Sequence, residues 1–163
     1  MRSKATIFII QENISLNSTV VKAVRKAVDC QVLVYADVSE IIQAIQHTTP
    51  SLLIIDLDFE AKEIKEQIYN LIDFNLPSIV LSSDNRKEFA ISLLKKGAVD
   101  YIYKKDPKFY EKLTQSVKDV YIVIGLRLKL LSEKRKKIRN LKNAGLLFVA
   151  VCLVIISVLG FLE

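Results

Sequence analysis

Four side chains with acid, hydroxyl or amine groups each follow a short apolar stretch of this sequence. They are Glu12, Asp56, Ser82 and Lys104. If the apolar stretches are parallel strands of one sheet, their carboxyl ends share the edge at which open α/β sheets bind ligands. The sequence therefore predicts that two carboxylates, a hydroxyl and an amine meet around one hollow the size of a cation.

Asp56 is the residue on which this prediction depends most. It ends the sequence Pro50-Ser-Leu-Leu-Ile-Ile-Asp56, in which residues 52–55 are all apolar. An unbroken apolar run of strand length, bounded by proline and charge, indicates a strand buried on both faces, as parallel sheets require. Asp56 is thus expected at the carboxyl end of a buried strand. Taken without the other three residues, it could also be a cap of the next helix.

Five such strands alternate with five helices. The strands are expected at 6–10, 31–35, 52–55, 78–81 and 101–103, and the helices at 19–28, 41–46, 62–74, 88–96 and from 108 onward. Each strand and helix together have about the length of one βα repeat. The predicted fold class is therefore α/β, with a parallel sheet covered by helices on both faces.

The last helix has no obvious end in the sequence. From residue 108 to 143 there is no proline and one glycine, Gly125, so the helix is expected to continue as a stalk over residues 121–143. Arg127 and Lys134 interrupt a pattern of apolar residues that suggests a coiled coil and hence a homodimer through the stalk. The apolar positions of that pattern are Val117, Val120, Ile124, Leu131, Ile138 and Leu141.

Positive charge is concentrated in this stalk. The chain has a formal net charge of +6, and residues 127–142 hold eight Lys/Arg against one acid, Glu133. Residues 1–126 consequently sum to zero, because Glu163 is the one charge beyond the stalk. A neutral globular part gives no electrostatic argument for nucleic-acid binding, so no nucleic-acid partner is expected.

Residues 144–162 form an uncharged apolar segment of nineteen residues. At about 1.5 Å per residue, such a helix can just cross a hydrocarbon core of roughly 30 Å, and we expect a transmembrane helix there; a buried core helix is the alternative. The adjoining Lys/Arg cluster predicts contact with anionic headgroups and a domain that faces the cytoplasm. The expected location is therefore the inner membrane, with a single pass.

The strand pattern and the four polar residues together resemble the receiver domain of bacterial response regulators, the CheY-like family. The resemblance covers roughly residues 4–120 and implies a flavodoxin-like, doubly wound, five-stranded sheet, (βα)5, in residues 1–120. It rests on four segments, which are Ile9-Ile-Gln-Glu-Asn13, Ser51-Leu-Leu-Ile-Ile-Asp56, Pro77-Ser-Ile-Val-Leu-Ser-Ser83 and Gly97-Ala-Val-Asp-Tyr-Ile-Tyr-Lys104.

This resemblance implies a signalling role, not an enzymatic one, with Asp56 as the phospho-acceptor. A histidine kinase or a phosphotransfer protein would supply the phosphoryl group, and an output protein of unknown identity would read the signal. Lys104 and Ser82 would contact the phosphoryl group, and Tyr101 would be the aromatic switch residue.

A magnesium ion is also implied by the resemblance. Its ligands would be the carboxylates of Glu12 and Asp56 and the backbone carbonyl of Asp58, in keeping with the oxygen ligands that Mg²⁺ prefers. The family usually has a second acid where this sequence has Gln11, so Mg²⁺ is expected to bind less tightly. Asp58 and Glu60 add negative charge close to the acceptor.

Two other functions remain open at this stage. The main alternative is a degenerate pseudo-receiver, a docking or scaffold module at the membrane that works without phosphorylation. The second is a phosphatase, because Asp56-Leu-Asp58 also looks like the Asp-x-Asp nucleophile motif of haloacid-dehalogenase-like enzymes. That family usually carries the motif on its first strand, whereas here it follows the third.

Overall fold

Five parallel strands form one sheet in the computed structural model, which describes residues 5–11, 18–56 and 62–159. The strands are β1 Ala5–Gln11, β2 Cys30–Tyr35, β3 Leu52–Asp56, β4 Ser78–Ser82 and β5 Asp100–Tyr103. Their order across the sheet is β2-β1-β3-β4-β5, with every neighbouring pair parallel. This is the flavodoxin-like order, and the connections reverse direction between β1 and β3. The predicted sheet is confirmed.

The helices lie between the strands along the chain. They are α1 Thr19–Ala27, α2 Val38–His47, α3 Lys62–Ile72, α4 Lys87–Lys96 and α5 Phe109–Leu159. By contact, the chain divides into two compact units, residues 1–122 and 123–163. The first unit contains the whole sheet and the first four helices, and α5 has residues in both units.

The central strands are buried because their sequences are apolar at almost every position. Every residue of β4 is buried, as are the first four residues of β3 and the last five of β1. Helices that cover both faces of a parallel sheet require such continuous apolar runs instead of an alternating pattern. The carboxylate of Asp56 is the exception at the end of β3, where the sheet meets solvent.

Local capping explains where two helices begin and end. The hydroxyl of Ser18 accepts a hydrogen bond from Val21 N at 3.2 Å, as expected for an N-cap of α1. Gly97 ends α4 with φ of 115°, a left-handed conformation that glycine adopts without strain.

Helix α2 starts three residues earlier than predicted. Its N-cap is Asp37, whose Oδ1 accepts a hydrogen bond from Glu40 N at 2.9 Å and from the Ser39 hydroxyl at 2.6 Å. Those hydrogen bonds lower the pKa of Asp37, because they favour the ionised carboxylate. Ser39 lies inside the first turn, where its hydroxyl supports the cap.

Helix α5 is the longest element, and the burial of its side chains differs between the two units. In the first unit, Leu113, Val117 and Val120 are buried. In the second unit, the described side chains from residue 123 to 146 are exposed, apart from the half-buried Ile124.

No helix in the part of the chain that the structure describes is long and apolar enough to cross a membrane. In the predicted span at 144–162, residues 160–162 lie outside the described residues, and the side chains of 144 and 147–159 are likewise not described. The membrane anchor therefore stays a prediction, as do the boundaries of the stalk.

Candidate functional site

The ends of β1, β3, β4 and β5 lie at the same edge of the sheet. In the strand register, Gln11 is paired with Asp56 and Asp56 with Leu81, while Ser82 is paired with Tyr103. Lys104 directly follows that last pair, and its backbone N–H donates to the carbonyl of Ser82 at 2.8 Å. The topology therefore places Asp56, Ser82 and Lys104 on one edge, beside the point where the connections reverse direction.

An ion pair between Lys104 and Asp56 forms the centre of this site. Lys104 Nζ lies 2.8 Å from Asp56 Oδ1, and the exposed fractions of the two side chains are 27% and 15%. The Oδ1 atom is buried, and no group in residues 5–11, 18–56 and 62–159 donates a well-aligned hydrogen bond to it. At 2.8 Å the two groups attract each other as charges, because this attraction depends on their separation and not on hydrogen-bond alignment.

Ser82 is fully buried at the end of β4, and its hydroxyl is held by the loop that follows. Ser82 Oγ accepts a hydrogen bond from Asp84 N at 3.0 Å. This contact ties the hydroxyl to the first turn of the loop between β4 and α4. Any movement of that loop is therefore expected to move the Ser82 hydroxyl.

Tyr101 connects β5 to the same loop. Its hydroxyl donates to the backbone carbonyl of Asp84, and its ring meets Phe89 edge-on with 6.2 Å between ring centroids. Burial raises the pKa of Tyr101, although a hydrogen bond with the Ser82 side chain opposes that rise. Ser82, Asp84 and Tyr101 thus form one hydrogen-bonded group.

The Tyr101 hydroxyl is therefore expected to ionise at higher pH than an exposed phenol. Because folding favours its neutral form, its contribution to stability is present below pH about 10 and is lost as pH rises through the raised pKa. The measurement is the phenolate absorbance of wild type minus Tyr101→Phe during a pH titration. If the difference in absorbance rose over the same pH range as the absorbance of the exposed tyrosines, the Tyr101 hydroxyl would not be held by these hydrogen bonds.

Arg86 neutralises an acid beside the site, and the sequence analysis missed this pair. Its guanidinium contacts both carboxylate oxygens of Asp84, with Nε 2.8 Å from Oδ2, and its backbone N–H donates to Oδ1 at 2.9 Å. In an Asx turn, the aspartate side chain accepts a hydrogen bond from the backbone N–H two residues later. An arginine two residues after an aspartate is therefore the sequence signal that could have revealed the pair.

Gln11 occupies the position where a second acid was expected. Its side chain is almost fully buried, and its Oε1 accepts a hydrogen bond from the Ser18 hydroxyl at 3.3 Å. The amide thus joins the end of β1 to the N-cap of α1. This contact gives Gln11 a structural role that a charged carboxylate would fill less well at this depth.

Of the three predicted metal ligands, Asp56 alone can be assessed. Glu12 and Asp58 lie outside the described residues, and within the described part no three His, Cys, Asp or Glu side chains form a cluster suited to a metal. Asp56 itself fits a divalent cation, because its buried Oδ1 is an acceptor without an aligned donor in the described residues. Lys104 provides the positive charge that this oxygen contacts in the structure.

Comparison with protein-family models and with curated proteins finds no match. Solved structures do match. A response regulator from Thermotoga maritima is 25% identical with a TM-score of 0.60, and the match covers 72% of this chain and 97% of that one. The Mn²⁺-bound form of response regulator Rcp1 is 15% identical with a TM-score of 0.55, covering 71% and 91%.

A third similar structure is described as an atypical orphan response regulator with a phosphorylation-independent regulatory mechanism. It is 14% identical with a TM-score of 0.56, and the match covers 71% of this chain and 93% of that one. These three neighbours are described as response regulators, and this chain has their fold. One of them binds a divalent metal ion, and another is described as working without phosphorylation.

Proposed function

We propose that this chain is a membrane-held, receiver-like signalling protein in which Asp56 accepts a phosphoryl group from a phosphohistidine. The observation that carries the proposal is the ion pair between Asp56 and Lys104 at the carboxyl edge of a receiver-type sheet. A carboxylate that is largely buried, yet at the edge where such sheets bind ligands, is suited to act as a nucleophile.

The proposed transfer is a simple displacement at phosphorus. An oxygen of Asp56 attacks the phosphorus of the phosphohistidine, and the P–N bond breaks. The ring nitrogen keeps the bonding electrons and takes a proton from solvent, so the products are an acyl phosphate on Asp56 and a neutral histidine. The Lys104 amine is already 2.8 Å from the carboxylate. It can therefore balance the negative charge of the phosphoryl oxygens from its present side of the site.

A divalent cation is part of this proposal, and Mg²⁺ is the expected one. When bound, it would neutralise negative charge on the phosphoryl group, with Asp56, Glu12 and the carbonyl of Asp58 as its protein ligands. Gln11 does not add a charged ligand, because its amide is neutral, and its Oε1 already accepts a hydrogen bond from the Ser18 hydroxyl. Weak binding is therefore expected, so the test needs Mg²⁺ well above trace concentrations.

The response to phosphorylation is proposed to pass through Ser82 and Tyr101. A new phosphoryl oxygen would accept the hydrogen of the Ser82 hydroxyl, and reorienting that hydroxyl would disturb the hydrogen bond that Ser82 Oγ accepts from Asp84 N. Because Tyr101 bonds the carbonyl of Asp84, a shift of the loop would change the position of its ring. A local change in charge at Asp56 would thus change the position of the Tyr101 ring. An output protein could recognise that change of position.

Labelling by a small acyl phosphate tests the acceptor role. Full-length protein in neutral detergent is incubated with radiolabelled acetyl phosphate and Mg²⁺, with and without EDTA. We expect label that depends on the metal and is lost at alkaline pH, as an acyl phosphate requires. Absence of label over a wide range of Mg²⁺ concentrations would contradict the proposal.

The second candidate is a pseudo-receiver that serves as a membrane docking module without phosphorylation. It is favoured by Gln11, a neutral residue whose Oε1 accepts a hydrogen bond from Ser18, the N-cap of α1. The neighbour described as phosphorylation-independent has the same fold. An unlabelled protein that still binds its partner through this unit would support this function.

Membrane attachment is proposed through residues 144–162, with the adjoining basic residues on the cytoplasmic side. Ending the chain after residue 143 is expected to move the protein from the membrane fraction to the supernatant. Replacing the lysines of residues 127–142 by glutamate is expected to invert or abolish insertion. Truncated protein that stays with the membrane fraction after a high-salt wash would contradict the anchor.

A further inference from the structure

The second unit carries an exposed apolar stripe along one face of its helix. Its apolar members lie at spacings of four, three and seven residues, which keeps them on one side of an α-helix, and are Ile124, Leu128, Leu131 and Ile138. Leu128, Leu131 and Ile138 are 62%, 46% and 50% exposed. Such spacing is typical of a helix that packs against one other helix.

Cations interrupt and border this stripe, whereas the acid does not. Arg135 and Lys142 continue its spacing, and Arg127, Lys134 and Arg139 lie directly beside it. Glu133 is the one acid in residues 127–142, and at 100° per residue it lies about opposite Arg135 on the helix. The stripe therefore presents leucine and isoleucine side chains within a border that carries cations and no acid.

The surface has a shallow hollow that could receive a side chain from a partner. The residues that line it are Leu128, Leu131, Ser132, Arg135, Lys136 and Arg139. Its floor is mainly apolar, and its rim carries three cationic groups and a hydroxyl. In helix pairs, an apolar side chain fits between four residues of the facing helix, and charges at the borders choose the partner.

We propose that this stripe binds an acidic amphipathic helix of another protein, which places leucine-type side chains on the stripe and carboxylates against its cationic border. A second copy of this chain fits poorly, because its Arg135 and Lys142 would meet the same cations. A bilayer surface also fits less well. Helices that lie in that interface have one apolar face and one polar face, whereas this stripe carries Arg135 within it, and Leu126 and Leu130 are exposed away from it.

This proposal concerns the second unit alone and holds whether or not Asp56 is phosphorylated. The probe is a designed helical peptide with leucines at its contact positions and glutamates beside them. Its binding to full-length protein in neutral detergent is measured by fluorescence anisotropy. Leu131→Ala and Ile138→Ala are each expected to weaken binding by about tenfold, the effect of losing one buried aliphatic contact.

Leu126→Ala and Leu130→Ala are the matched controls, because these leucines are 57% and 65% exposed but lie off the stripe. They should change binding by less than about twofold, and all four changes favour helix formation, so unfolding is not the cause. Arg135→Glu should weaken binding to the glutamate peptide, and a peptide with lysine at the facing position should restore it.

Four results would overturn the proposal. Unchanged binding in all four alanine variants would show that charge alone attracts the peptide, and equal losses in stripe and control variants would show that the stripe is not the contact surface. A dimer of the full-length chain that Leu131→Ala and Ile138→Ala dissociate would identify a second copy as the occupant. Binding of protein truncated after residue 143 to phosphatidylglycerol vesicles, lost with those same two variants, would identify the bilayer surface instead.

Discussion

Asp56→Asn is expected to reduce phosphoryl labelling to the background of untreated protein. Asparagine keeps the size of the side chain but removes the nucleophilic oxygen that would form the acyl phosphate. The fold should be nearly unaffected, with a change in the free energy of unfolding below about 1 kcal/mol, because Lys104 can turn its partly exposed amine toward water. Labelling and urea denaturation of the same preparation measure both effects.

Asp73→Asn is the matched control for this change. Asp73 also lies within 4.0 Å of a lysine, Lys96, but its side chain is 57% exposed and it follows α3 instead of a strand. Replacing the Asp73 carboxylate by an amide should leave phosphoryl labelling unchanged. If Asp56→Asn were labelled as strongly as wild type, the acceptor would be another residue.

Lys104→Met is expected to destabilise the fold by about 1–3 kcal/mol and to lower labelling strongly. The substitution leaves the largely buried carboxylate of Asp56 without its cation, and an uncompensated buried charge is costly. Methionine keeps most of the length of the side chain, so packing changes little. Urea denaturation at neutral pH gives the change in the free energy of unfolding.

The pair provides its own internal test. In the double variant Asp56→Asn with Lys104→Met, most of the lost stability should return, because neither partner is then left charged and buried. Lys105→Met is the control, since Lys105 is exposed and should cost less than about 0.5 kcal/mol. Equal costs for Lys104→Met and Lys105→Met would mean that the ion pair does not hold in solution.

The strands could be predicted from the sequence because the sheet is buried on both faces. Runs such as residues 52–55 are apolar without interruption, and few other structures require that pattern. Helix boundaries are harder to predict from the sequence than strands, because several polar residues near the start of a helix can each act as its N-cap. Asp37 rather than Ser39 caps α2, and α3 ends at Ile72, two residues before the predicted end, with Asn75 following at φ of 56°.

The site could be predicted in part for the same reason. Asp56 and Lys104 follow strands, so parallel strand pairing alone brings them to one edge, where they are 2.8 Å apart. The pairing of Arg86 with Asp84 and the contact of Gln11 with Ser18 could not be predicted, because loop and cap contacts follow no periodic pattern. Glu12 and Asp58 stay predictions, as does the magnesium ion they would bind.

Chemical identification of the phosphorylated residue tests the central claim most directly. Protein treated with acetyl phosphate and Mg²⁺ is reduced with borohydride, which converts an aspartyl phosphate to homoserine, and is then digested and sequenced by mass spectrometry. We predict homoserine at residue 56 and at no other aspartate. Protein without homoserine, or with homoserine only at another position, would contradict the assignment of Asp56 as the phospho-acceptor.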